Sequence, residues 1–240
     1  MSRQARVVEG GVAFHITARG NYRQDVFPGP DDRQAYLNLL ARHSSNEGLR
    51  ILGWCLMTNH VHLLGVPERR ESLAGAMKRT QGDYARLINR RHHRHAGHLW
   101  QSRFYSCPLG GDAVWTALRY IECNPVRAGV VAAAEACSWS SAAVHCGLAE
   151  APQFLALDWW REVWTAERWR SVLELGPDER QVEALRQATH HGVPLGERSF
   201  LERMAQQAGR DLVMRPVGRP RLGAGGVDLL WTESTAGGMR

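Results

Sequence analysis

Two imidazoles in the run from Ile51 to Pro67, ILGWCLMTNHVHLLGVP, carry the most distinctive chemistry of the chain: His60 and His62 flank Val61 in a segment that is otherwise largely apolar. In a strand, side chains alternate between faces, so both histidines project to one side while Val61 and Leu63 project to the other. Paired neutral imidazoles with no acid beside them suit a divalent cation. The competing reading is a pair of core histidines satisfied by neighbouring carbonyls. Thr58-Asn59 interrupts the apolar run, so the residues around it read as a buried hairpin with the histidines at its mouth.

A reaction at such a cation still needs a nucleophile, and the chain has five tyrosines. Tyr120 has Asn124 four residues on, on the same face of a helix, so a hydroxyl and an amide oxygen can approach one cation. Tyr84 has Asn89 five residues on, rotated off its face. Tyr105 lies in a strand, placed to stack on a base or to pack, and Tyr22 and Tyr36 stand far from any second functional group. By residue type alone Tyr120 is a core tyrosine buried against a sheet. Two features favour chemistry: its helix follows a strand at once, and Asn124 lies one turn away.

The elements that must position these groups can be read in order. Residues 11–19 contain an alternating strand with His15 and Thr17 on one face, and Gly20-Asn21, Pro28 and Pro30 mark a loop. A helix with an Asp cap runs from Asp31 to Asn46, followed by the hairpin. A second helix extends from Glu71 to about Arg91 through Leu73, Met77, Tyr84, Leu87 and Ile88. A fourth strand is expected over Leu99 to Pro108, and a helix capped by Asp112 over Ala113 to Asn124, stopped by Pro125. The order β-α-β-β-α-β makes the fold class α+β: a ferredoxin-like antiparallel sheet with helices on one face. Tryptophan-rich helical pieces beyond Ala149 form a C-terminal helical appendage. The expected division is a catalytic unit over residues 1–147, the appendage over 148–214 and a Gly/Pro/Arg tail over 215–240.

Hydrophobic content of 44% and aromatic content of 8% are those of a globular protein with a sizeable core. A formal charge of +6 and an isoelectric point of about 9.4 favour polyanionic partners, nucleic acid above all. The five cysteines are scattered without a Cys-x-x-Cys pair, which argues against a zinc ribbon or redox motif and for buried thiols in a reducing compartment. With no signal-peptide pattern and no window approaching a membrane span, the expectation is a soluble cytoplasmic protein.

Three motifs in this order, MTNHVHLL, GHLWQSRF and RYIECNPVRAGVV, resemble the signature of the REP-associated tyrosine transposases, relatives of the single-tyrosine HUH transposases. The resemblance spans roughly Gly11 to Val131. It implies that His60 and His62 bind the metal, Mg²⁺ or Mn²⁺, and that Tyr120 is the nucleophile. Asn124 stands where insertion-sequence relatives carry a glutamine metal ligand. It further implies that Tyr120 attacks a DNA phosphodiester, becomes joined to the 5′ phosphate and leaves a free 3′ hydroxyl, with no nucleotide cofactor.

The expected partner is single-stranded or hairpin DNA, handled by a monomer or homodimer. Arg90, Arg91, Arg94, Trp100 and Arg103, interleaved with histidines, offer a cationic and stacking surface for it; a solvated helix end is the plainer reading. Gly218-Arg219-Pro220-Arg221 resembles an AT-hook core, in which Arg219 and Arg221 clamp a minor groove, and reads equally as a linker. Two other functions compete. A metal-dependent hydrolase would need further Asp, Glu or His ligands, and only Glu68 and Glu71 lie near. A non-catalytic hairpin-binding relative would have no use for an intact His60, His62 and Tyr120.

Overall fold

The computed structural model describes residues 6–92 and 98–212. Strands β1 (Ala13–Arg19), β2 (Leu49–Met57), β3 (His60–Pro67) and β4 (Tyr105–Leu109) form one antiparallel sheet in the order β2-β3-β1-β4. Helix α1 (Pro30–Glu47) connects β1 to β2, and α2 (Ser72–Arg91) connects β3 to β4. This is the expected α+β arrangement. Helix α1 ends on Gly48, whose φ of 70° is the left-handed conformation that closes a helix at little cost for glycine.

Strand alternation divides the sheet into two faces. Phe14, Ile16, Ala18, Val61 and Leu63 turn to one, where they meet Tyr36 and Leu40 of α1 and Met77 and Tyr84 of α2 in a continuous core. These two helices share one face, as the pattern of the repeat requires. The opposite face is covered as well. There Ala13, Cys55, Leu64 and Cys107 pack beneath α3 (Ala113–Arg127), through Leu118, Tyr120 and Ile121. Four further helices follow: α4 (Ala142–His145), α5 (Asp158–Arg161), α6 (Ala166–Glu174) and α7 (Glu179–His191). Val182, Leu185 and Ala188 of α7 join the same core, so the helical region beyond residue 147 is docked on the sheet. Helix α8 (Arg198–Ala208) follows α7. Gly53 of β2 allows α3 its close approach, since a Cβ there would stand 2.4 Å from Leu118 Cδ1.

Three local expectations are corrected. The fourth strand begins at Tyr105, because Trp100 bridges to Gly20 at the end of β1 and the chain then bends through residues 101–103 before pairing continuously. Helix α3 runs through Pro125 to Arg127: the missing N–H falls in the last turn, and Ala128 still donates to the Asn124 carbonyl at 3.0 Å. Asp112 makes no capping bond. At the start of α1, Asp32 accepts from the Gly29 amide at 3.1 Å. The five cysteines are buried free thiols, and among the described residues no helix is long and apolar enough to cross a membrane.

A buried polar knot ties α3 to the C-terminal helices. Glu122 is fully buried and accepts from Ser141 Oγ at 2.5 Å, His145 Nδ1 at 2.6 Å and Trp169 Nε1 at 2.8 Å. Replacing it with leucine would leave His145 Nδ1–H and Trp169 Nε1–H unpaired in an apolar surround, while Ser141 Oγ keeps the Trp54 carbonyl at 3.3 Å. We expect Glu122→Leu to lower stability by about 3–5 kcal/mol, with a smaller loss for Glu122→Gln, which keeps an acceptor. Urea denaturation followed by circular dichroism measures this, and an unchanged midpoint for Glu122→Leu contradicts it.

Candidate active site

The α3/α7 face of the sheet is polar at one end. Antiparallel pairing sets His62 beside Thr17 of β1 and Cys55 of β2, and His60 beside Arg19 and Met57. With His15 two residues before Thr17, the polar side chains of β1 and β3 therefore gather on one face, as their alternation requires. Above them α3 places Tyr120, whose ring stands edge-on to those of His62 and His15, at centroid separations of 5.3 and 5.8 Å. A cavity of about 810 Å³ opens here, lined by His15, His60, His62, Tyr105, Tyr120 and Asn124. Arg19, Arg23, Arg127 and Arg186 also line it, against one acid, Glu183. Such an excess of guanidinium groups suits phosphate.

The imidazoles are held neutral at physiological pH. Burial, reinforced by the Arg19 charge, pulls His60 down to about 4. Burial takes His15 down to about 3 and lowers His62 well below the ordinary range, the neighbouring His60 and His15 adding to the effect. At His60 the proton position follows from its partners. The Asn59 amide nitrogen donates to the Arg23 carbonyl at 3.1 Å, so its oxygen faces His60 and accepts from Nδ1–H at 2.6 Å. The lone pair of His60 is then on Nε2, free for a ligand.

Tyr120 is a core tyrosine whose hydroxyl also reaches the cavity. Its ring is 3% exposed and belongs to the core, while its oxygen accepts from Arg186 Nε at 3.2 Å at the cavity wall. The Arg186 and Arg127 guanidinium carbons lie 5.5 and 5.9 Å from its ring centre. Asn124 donates its amide N–H to the Tyr120 carbonyl at 2.9 Å, which leaves Oδ1 as the acceptor it can offer to an ion. Two imidazole nitrogens and one amide oxygen fit a divalent cation whose remaining positions are filled from outside the protein. Among the described residues no group of three or more His, Cys, Asp and Glu side chains is placed to enclose one. An open shell of this kind suits an ion that must also meet substrate oxygens.

The structure thus brings His60, His62, Tyr120 and Asn124 together, and it separates them from the proposed DNA surface. Arg90, Arg91, Trp100 and Arg103 do not line the cavity. Arg91 pairs with buried Asp32 at 2.6 Å. The Trp100 indole packs near Tyr36 and Tyr84 and donates to the Gln81 carbonyl at 3.1 Å, which makes it a packing residue. Arg90 and Arg103 are exposed. Arg94, Arg219 and Arg221 lie outside the described residues. Reasoning from sequence missed Arg19, Arg23, Arg127, Arg186 and Thr189 as cavity residues. For Arg19 a signal was present: His15, Thr17 and Arg19 repeat at period two, like His60 and His62.

Residues 10–124 match the family model described as IS200-like transposase. This segment, just under half of the chain, is similar to IS200-like transposases. It contains β1 through most of α3, including His60, His62, Tyr120 and Asn124. A solved structure described as the REP-associated tyrosine transposase bound to a REP hairpin is similar in fold to the chain. Its TM-score is 0.53 at 18% identity, over 65% of this chain and 92% of that one. A crystal structure of a protein from Deinococcus radiodurans R1, assigned there as a transposase, gives a TM-score of 0.38 at 19% identity, over 50% of this chain and 96% of that one. No curated protein matches the chain. The matched segment stops short of α7, yet α7 supplies one wall of the cavity.

Proposed function

We propose that the chain is a metal-dependent single-strand DNA nuclease and strand transferase of the REP-associated kind, acting at hairpin DNA through a covalent 5′-phosphotyrosine. The carrying observation is that one cavity presents the Tyr120 hydroxyl, two histidines with an accessible ring nitrogen, Asn124 and four arginines. The phenol oxygen attacks the phosphorus; a new P–O bond forms as the bond to the 3′ oxygen breaks, and that oxygen takes up a proton. One ester replaces another, so no nucleotide cofactor is needed. His60, His62 and Asn124 would hold Mg²⁺ or Mn²⁺, which polarises the phosphoryl oxygen and offsets the charge that builds on it.

Arg186 holds the phenol oxygen by its Nε–H, and Arg19 and Arg23 give the cavity positive charge that receives phosphates, Arg127 being paired with Glu179. All of these groups belong to one chain, so a single copy carries the whole constellation. A phenol recessed between a sheet and two helices has short reach. A splayed single strand can enter, whereas a strand paired in duplex cannot easily present its phosphate in line. Exposed Arg90 and Arg103 are proposed as outer contacts to the hairpin stem, along with Arg94, Arg219 and Arg221. The unit over 1–147 is proposed as the catalytic one, 148–214 as its helical buttress and 215–240 as a basic tail.

The test is incubation with labelled oligonucleotides and Mn²⁺, read as an SDS-stable protein–DNA band. A hairpin with flanking single strand is expected to form adduct at least tenfold better than its fully duplexed form or a scrambled single strand. Equal reaction of all three, or preference for the duplex, refutes the proposal.

A further inference from the structure

We propose that His15 and Thr189 are positioning residues for the metal site, a hydrogen-bonded relay through which helix α7 sets the proton on His62 and leaves its Nε2 free to bind the ion. The inference rests on the metal reading of His60 and His62. The relay can be followed atom by atom from its far end. The Leu185 carbonyl can only accept, and Thr189 Oγ1 lies 2.7 Å from it, so the hydroxyl proton is directed there. The same oxygen lies 2.7 Å from His15 Nδ1. With its proton committed, it can only accept, and His15 must carry its hydrogen on Nδ1. A neutral ring has one hydrogen, so His15 Nε2 is a bare acceptor. It stands 3.0 Å from His62 Nδ1, which therefore donates. His62 is left with its lone pair on Nε2, the form that ligates a cation.

A metal-binding histidine ordinarily gives its second N–H to a carboxylate, a carbonyl or water, each of which accepts in a fixed sense. Here the partner is another imidazole, its ring nearly parallel to that of His62 at 7° with the centroids 5.2 Å apart. An imidazole can donate or accept, so by itself it fixes nothing. If His15 carried its hydrogen on Nε2, it would donate to His62 Nδ1, and His62 Nε2 would be protonated and useless as a ligand. Thr189 prevents this. Both relay residues are buried, His15 at 1% and Thr189 at 2% exposure, so water does not compete for their hydrogen bonds. His60 has its own fixed partner in Asn59. The two ligands are thus set independently, one by the hairpin turn and one by a helix beyond the transposase segment.

The experiment measures Mn²⁺ alone, without DNA. Thr189→Val keeps the shape and removes the acceptor, and it is expected to weaken Mn²⁺ binding by about 10–100-fold in calorimetry. Thr189→Ser restores the hydroxyl and is expected to stay within about threefold of the parent protein. In the unmodified apo protein, ¹⁵N chemical shifts of the ring nitrogens are expected to show His62 protonated on Nδ1. Unchanged affinity in Thr189→Val, equal losses in Thr189→Val and Thr189→Ser, or a His62 ring protonated on Nε2 each overturns the relay. His62→Gln separates the relay from the metal reading beneath it. If it weakens Mn²⁺ binding and Thr189→Val does not, the relay alone falls; if it too leaves the affinity unchanged, the metal reading falls and takes the relay with it.

Discussion

Tyr120→Phe is expected to reduce the SDS-stable adduct and strand cleavage by more than about 10³-fold, because the covalent route needs the one atom removed, while hairpin affinity and fold persist. The geometry explains why the change should be so selective. The ring fills the space beside His15 and His62, and phenylalanine fills it equally. The hydroxyl bonds Arg186 Nε at 3.2 Å, and that guanidinium lines an open cavity where water can replace the lost acceptor. The cost in stability should therefore be about 1 kcal/mol or less. Tyr105→Phe is the control, since Tyr105 lines the same cavity and should retain adduct formation. Tyr84 is no rival: it is fully buried in the other core, where its hydroxyl donates to the Val26 carbonyl at 2.6 Å. Adduct formed by the Tyr120→Phe variant, measured by gel and by mass spectrometry of the trapped peptide, would assign the nucleophile elsewhere.

His60→Ala and His62→Gln should each cut adduct formation roughly 10²–10⁴-fold, the range expected when charge stabilisation of several kcal/mol is lost from a transition state. The two variants should differ in stability. His60 is half-buried with one side-chain partner, so alanine there should be tolerated. His62 is 6% exposed and bonded to His15, so glutamine is the better probe, filling most of the volume and keeping a donor. Raising Mn²⁺ should recover part of the activity of each variant if one ligand has been lost from a shell that retains the other. Cleavage by the parent protein that persists in excess chelator, or full activity in either variant, would remove the histidines from the chemistry.

What can be read in advance is whatever a short period encodes. His60 and His62 share a face because strands alternate, and Tyr120 and Asn124 share one because helices return after four residues. The hairpin, both crossover helices and the strand order follow from the same local rules. The contribution of α7 cannot be read so. Arg186 and Thr189 reach the site only through the docking of a helix far along the chain, which no spacing within that helix announces. The basic run around Arg91 misleads for a related reason. In sequence it reads as one surface, but Arg91 turns to Asp32 on α1 and the Trp100 indole to Gln81 on α2, on the side of the sheet opposite the histidines. Pro125 ends the helix on paper but not in space, because a proline in a final turn removes only one bond.

The bond between His15 and Thr189 joins residues 174 positions apart, and it has a temporal meaning during synthesis. The sheet is complete in sequence at Leu109, and Tyr120, His60 and His62 have all been made shortly afterwards. After Tyr120 about 70 further residues must be polymerised before Thr189 exists, which takes roughly 3–14 s at common elongation rates, and more before α7 clears the ribosome. Through that interval the nascent chain holds the proposed nucleophile and metal ligands in a cavity that lacks one wall. On the proposed function, the site that cuts DNA is completed last, so prematurely terminated chains ending before α7 are expected to be silent fragments and not free nucleases.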